Sequence, residues 1–332
     1  MKKRSLFIII ILIFAAGGIA MFSHRQNQAS QRENKIIKKK QKDISGIENM
    51  PEQYEEKASE KGTLKELSYK VHMKNENNKT IQKKAMVYLP YNYSKNKKYN
   101  TFYLLHGYGG SYQTFLGSVL SPRTFKNVLD HMIQEGDIAP MIVVTPEYTD
   151  EYEDYYETIE QIGDEIVSTL IPEIESTYST YTKSITKKEL IASRNHRAVG
   201  GFSMGGCATW YTLKNHMEYF EYYLPMSMPL YYNPKGYEKS ESINSARRIH
   251  EGIQNANLKS KKFYVFAASG TDDFMSEATK KQLSDLYKYK EFKETKDNFT
   301  NGNAMFYSWK GHKHSFKESY PYLYNGLLHF YR

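Results

Sequence analysis

Ser203 stands in Gly200-Gly201-Phe202-Ser203-Met204-Gly205-Gly206 and so satisfies G-x-S-x-G. A short apolar run precedes the motif and a helical pattern follows it, which is the context of a nucleophile elbow. There the chain must swing sharply from strand to helix and leave a hydroxyl exposed at the bend. Gly201 and Gly205, lacking Cβ atoms, let neighbouring backbone come close. A hydroxyl is a poor nucleophile unless a base takes its proton, and the base in turn needs a third group to orient it. In this arrangement the partners follow in the order Ser, acid, His, each after a later strand. Asp272 and Asp273 follow the apolar run at 263–268; His312 and His314 follow the run at 305–309. The spacing alone leaves open which Asp and which His. The two histidines have no third ligand at suitable spacing, so no metal site is expected, and serine acyl chemistry calls for no cofactor.

The reaction also needs donors for an oxyanion. The backbone N–H of Met204, directly after the serine, is one. The second is expected from the loop Leu104-Leu105-His106-Gly107-Tyr108-Gly109-Gly110, with the N–H of Tyr108 as the candidate and Gly109 beside the substrate. His106, right after a buried strand, reads as an organiser of that loop. Tyr148 and Tyr152, in the acidic, tyrosine-rich stretch 147–160, are candidates for stacking on a sugar or an aromatic acyl group. Cys207 and Trp210, on the helix after the serine, read as core.

These groups need a scaffold. Residues 64–73 and 81–89 read as a hairpin around a polar turn. Short apolar runs at 102–105, 141–145, 198–200, 222–226, 263–268 and 305–309 read as buried parallel strands. Helical patterns fall between them at 123–134, 159–178, 204–214 and 276–289. Strands alternating with helices predict an α/β fold of the α/β-hydrolase type, its mostly parallel sheet flanked by helices.

Residues 1–62 carry 12 Lys/Arg against 7 Asp/Glu and the other 270 carry 34 against 30, so the net charge of +9 is concentrated at the start. The folded part lacks the basic stripe of a nucleic-acid binder. Three cations precede an apolar run at 6–22, long enough to cross a bilayer at about 1.5 Å per residue. The expectation is a membrane anchor at 1–22 that leaves the rest outside the cell, a cleaved signal being the alternative. Residues 23–62 read as a polar linker and 63–332 as the catalytic domain. The single cysteine, Cys207, excludes an internal disulfide framework, which suits a surface protein of a Gram-positive bacterium.

With these residues in place, the chain resembles the feruloyl esterase and acetyl xylan esterase modules of carbohydrate esterase family one, within the wider esterase D-like group. The likeness runs through nearly all of 63–332. It includes Met86-Val87-Tyr88-Leu89-Pro90, Tyr93-Ser94, Lys97-Lys98-Tyr99, the 103–111 loop and Ala192-Ser193-Arg194-Asn195-His196-Arg197-Ala198 ahead of the elbow. The resemblance implies that Asp273 is the acid and His314 the base, with Tyr322 to Asn325 in a helix after it. It places Met228, after the run at 222–226, in the acyl pocket. There many relatives carry Gly-Asp and this chain has Met228-Pro229-Leu230-Tyr231-Tyr232, which leaves the acyl group open. The implied activity is hydrolysis of an acyl ester on a carbohydrate through an acyl-serine. Rival readings are acyl transfer to a sugar, as in mycolyltransferases, a peptidase of the prolyl oligopeptidase kind, for which no propeller-length domain is present, and a binding protein on an inactive scaffold.

Overall fold

The computed structural model describes residues 46–72, 79–148, 155–230 and 239–331. Its sheet has eight strands. β1 (Thr63–His72) and β2 (Thr80–Leu89) form the expected antiparallel hairpin, with Thr63 opposite Leu89. β2 also runs antiparallel to β4 (Met141–Pro146). From there β3 (Asn100–Leu105), β5 (Arg197–Phe202), β6 (Tyr222–Met226), β7 (Tyr264–Gly270) and β8 (Ala304–Trp309) are all parallel. The order across the sheet is β1-β2-β4-β3-β5-β6-β7-β8. Every residue of β4, β5 and β6 is buried, because helices cover both faces and leave no wet side for alternation to mark.

One face packs under α1 (Thr124–Gln134) and α8 (Tyr320–His329), with Phe125, Leu129, Tyr322 and Leu327 against Phe102, Leu224 and Phe266. The other face packs under α2 (Tyr155–Glu165), α3 (Ile171–Thr177), α4 (Lys187–Ala192), α5 (Met204–His216), α6 (Lys239–Asn255) and α7 (Ser276–Leu286). The single helix expected at 159–178 is divided: α2 widens into a π turn (Ile166–Leu170) before α3. Pro172, with no N–H to give the preceding turn, explains the change of pitch. α6 went unforeseen because its buried apolar stripe is narrow. Ala246, Ile249 and Ile253 face the core in an otherwise polar stretch.

The expected linker does not extend to residue 62. From Gly46 onward the chain is strapped to the domain. Glu48 N–H donates to Asn325 Oδ1 at 2.8 Å, buried Tyr54 donates to Asp137 at 2.7 Å, and Gly62 N–H donates to Asp130 Oδ1 at 2.8 Å. A few anchors such as Tyr54 and Ala58 suffice to dock a polar segment, and composition averages them away. The expected anchor at 6–22 and the linker from 23 to 45 lie outside the described residues. No helix among the described residues is long and apolar enough to cross a membrane.

Candidate active site

The carboxyl ends of the parallel strands form one rim, and the sequence-predicted residues gather there. Ser203 follows β5 and precedes α5 with φ +56° and ψ −118°, a conformation that costs a non-glycine residue strain. The bend is held from several sides. Ser203 N–H donates to Met226 O at 2.9 Å, and Cys207 N–H donates back to Ser203 O at 3.0 Å. A Cβ on Gly205 would collide with the carbonyl of Leu105, so the helix start rests directly on the end of β3. Cys207 and Trp210 are fully buried. The Trp210 indole donates to Met228 O at 3.2 Å and fixes the chain just past β6.

His314, on the loop after β8, holds Nε2 2.8 Å from Ser203 Oγ and Nδ1 2.9 Å from Asp273 Oδ1. Asp273, on the loop after β7, is buried; its Oδ1 also accepts the N–H of Met275 at 2.8 Å. Asp272 points the other way: it is exposed and accepts from the Thr271 hydroxyl at 2.9 Å. His312 contributes backbone, its carbonyl accepting Asp272 N–H at 3.0 Å, and its ring lies 5.6 Å from that of Tyr322. A Cβ on Gly270 would strike that same carbonyl, so the acid and base loops are knitted together.

Behind the acid lie several buried polar atoms. Asp273 Oδ2, Ser269 Oγ, His312 Nδ1 and the Tyr322 hydroxyl have no hydrogen-bond partner among the described residues. Burial, and next the charge of Asp273, push the Tyr322 phenol well above its ordinary range.

On the far side of Ser203, the loop after β3 closes in. A Cβ on Gly107 would sit 3.2 Å from Ser203 Cβ. The Gly107–Gly110 turn closes with a 3.0 Å hydrogen bond, and Gly109 takes φ +69°, which suits glycine. Buried His106 bonds Gly107 O through Nδ1 at 2.9 Å, as expected of a loop organiser. Met204 is the first residue of α5, so its N–H has no carbonyl four residues back in the helix. Met204 thus begins the helix next to Ser203, and Tyr108 follows Gly107, which packs against Ser203.

Tyr148 departs from its expected role. At 1% exposure it lies beneath the His106–Gly110 loop, its hydroxyl donating to His106 O and its ring 4.4 Å from the imidazole. It supports the loop and offers no face to a ligand. Tyr152 lies outside the described residues. Met228 is half-buried against the α5–α7 core. Sequence reasoning passed over Phe274, whose ring lies 4.3 Å from that of His314 while 73% exposed, and Phe202, whose buried ring lies 4.8 Å from it. Adjacency to the acid and to the serine was the available signal for both.

The esterase family model, described as "Putative esterase", matches residues 80–323. Endo-1,4-beta-xylanase Y of Acetivibrio thermocellus is 36% identical over 249 residues, which are 75% of this chain and 22% of that enzyme. The chain therefore spans about a fifth of that relative's length. The feruloyl esterase module from Clostridium thermocellum, solved as a mutant in complex with sinapinate, is 31% identical, with TM-score 0.75 over 87% of this chain and 96% of that one. A ferulic acid esterase of Anaeromyces mucronatus, solved with ferulic acid, shares the fold at TM-score 0.61 and 20% identity, covering 86% of this chain and 97% of that one.

Proposed function

The chain belongs to the esterase family, and we propose that it is a serine carboxylesterase acting on a carbohydrate that bears an aromatic acyl group of the hydroxycinnamoyl type. The observation that carries this reading is His314 bridging Ser203 Oγ and Asp273 Oδ1 at 2.8 and 2.9 Å, with Ser203 held at φ +56°. The acyl class rests on the 31% identical module with bound sinapinate.

In the proposed cycle, Ser203 Oγ attacks the ester carbonyl as its proton passes to His314 Nε2. The carbonyl oxygen becomes an oxyanion facing the N–H groups of Met204 and Tyr108; losing one such donor typically costs about 10²–10³ in rate. The tetrahedral carbon then expels the alcohol, whose oxygen takes the proton from His314. Water repeats the sequence on the acyl-serine and releases the acid. Asp273 holds the imidazole with Nδ1 protonated and stabilises the imidazolium. Tight packing along Gly107, Gly205 and Gly270 keeps the three loops in register, so little reorganisation is needed when charge develops.

The proposed location rests on the three cations ahead of the apolar run at 6–22. Residues 6–22 tether the domain on the outer face of the membrane. The strap enters beside His329, whose Nε2 lies 3.1 Å from Gly46 O, at the base of the sheet and away from the rim. That base is marked by Tyr331, which donates to Thr101 O at the start of β3.

The test is fluorophosphonate labelling with peptide mapping, alongside a panel of feruloyl, acetyl and short-chain aryl esters. Label on Ser203 with release of free acid from the feruloyl ester is expected. Label elsewhere, or no turnover of any ester, would overturn the reading. Acyl sugar formed in place of free acid would make the protein a transferase.

A further inference from the structure

Two phenyl rings lie close to the His314 imidazole, and they are not equivalent. Phe202 is buried, its ring 4.8 Å from the imidazole. Phe274 lies 4.3 Å away and leaves most of its surface in water. Its place is dictated by its neighbours. Asp273 Oδ1 accepts Met275 N–H at 2.8 Å and Asp273 O accepts Ser276 N–H at 2.9 Å, which pins the turn. Asp273 points inward, Met275 packs toward the core, and the residue between them must face out. An apolar ring kept this exposed forgoes most of the stabilisation of burial, and the ring it packs on is that of His314.

The reaction gives that position a meaning. The ester's carbonyl oxygen is directed to the Met204 and Tyr108 side of Ser203. The alcohol oxygen must come within hydrogen-bond reach of His314 Nε2 to receive its proton. Phe202 is buried and Phe274 is exposed, so of the two rings beside His314 only Phe274 is open to the alcohol half of the substrate. A flat, exposed apolar ring beside hydrogen-bonding groups suits a group with one C–H face and a hydroxyl-bearing edge, which describes a sugar ring.

We propose that Phe274 is the wall of the subsite for the alcohol half of the ester and selects a sugar ring there over a small alcohol. This deepens the esterase reading and rests on it.

The experiment compares two esters with the same feruloyl group, one on methanol and one on an arabinofuranosyl oligosaccharide, for wild type, Phe274→Ala and Phe274→Tyr. Phe274→Ala should lower kcat/KM for the sugar ester about tenfold more than for the methyl ester, mostly through KM. Phe274→Tyr should restore the sugar ester. Equal losses on both esters would make Phe274 a support for His314 alone and overturn the proposal while leaving the esterase reading intact. No change on either ester would also overturn it. Failure of the wild type on both esters would sink the two together. An unchanged Tm for Phe274→Ala shows that the comparison is made between folded proteins.

Discussion

At the base of β5, all five donors of the buried Arg197 guanidinium are used. They reach both oxygens of Glu175, the carbonyls of Leu190 and Tyr219, and Ser193 Oγ. Arg194 beside it reaches Glu221, Met217 O and Lys262 O. Six residues beyond Arg197, at the other end of the same strand, Ser203 sits in a strained conformation and the region behind Asp273 holds polar atoms without protein partners. Buried polar groups are ordinarily satisfied, and strain is ordinarily avoided. The Arg197 guanidinium is fully satisfied; the rim combines strain at Ser203 with unpartnered polar atoms, within a few residues of the proposed catalytic groups. A single strand thus links a region arranged for stability to one arranged for chemistry, and substitutions at its two ends should separate the two properties.

The largest effect is expected at the rim. Ser203→Ala and His314→Ala should each lower ester turnover by at least about 10³ while leaving Tm near that of the parent. A comparable fall in Tm would show that the rim also carries stability and would break the contrast. Next, Asp273→Asn should cost about 10³–10⁴ in kcat, because the amide presents the wrong partner to His314 Nδ1. Asp272→Asn should stay within a few-fold, since that carboxylate faces solvent; reversed magnitudes would reassign the acid.

At the base, Arg197→Met should destabilise by about 3–5 kcal/mol in urea unfolding, because it leaves Glu175 buried without its cation. The kcat of the folded fraction should hold. Loss of kcat without loss of stability would show that the two ends of β5 are coupled. The smallest effect sharpens the boundary between them. Tyr148→Phe leaves the buried His106 carbonyl without that donor, which costs about 1–3 kcal/mol. It should also reduce kcat a few-fold by loosening the His106–Gly110 loop, so a stability change alone would place Tyr148 with the base.

The central strands were readable because they are continuous apolar runs, and the elbow because glycine is required where Ser203 turns. The hairpin was readable from alternation along β1. α6 was not, because a helix buried along a narrow stripe has nearly the composition of a loop. The docking of residues 46–62 was hidden for the same reason: Tyr54 and Ala58 are two anchors in a polar segment. Tyr148 was misjudged because a tyrosine in an acidic stretch reads as surface, whereas its ring fills the space beneath the His106 loop.

The sequence by itself determined the fold class, the position of Ser203, and the short list of acids and bases that could serve it. These are local properties, set by turn sterics, hydrophobic runs and the side-chain types available. Spacing left Asp273 and Asp272, and His314 and His312, undivided, since each pair lies on one loop and chain order carries no direction; the resemblance implied Asp273 and His314, and the tertiary structure shows these two in hydrogen-bond contact. It alone set Phe274 against the imidazole, because which side chain faces the rim depends on how β7 and β8 pair and how their loops interlock, and those contacts join residues about 40 apart in the chain.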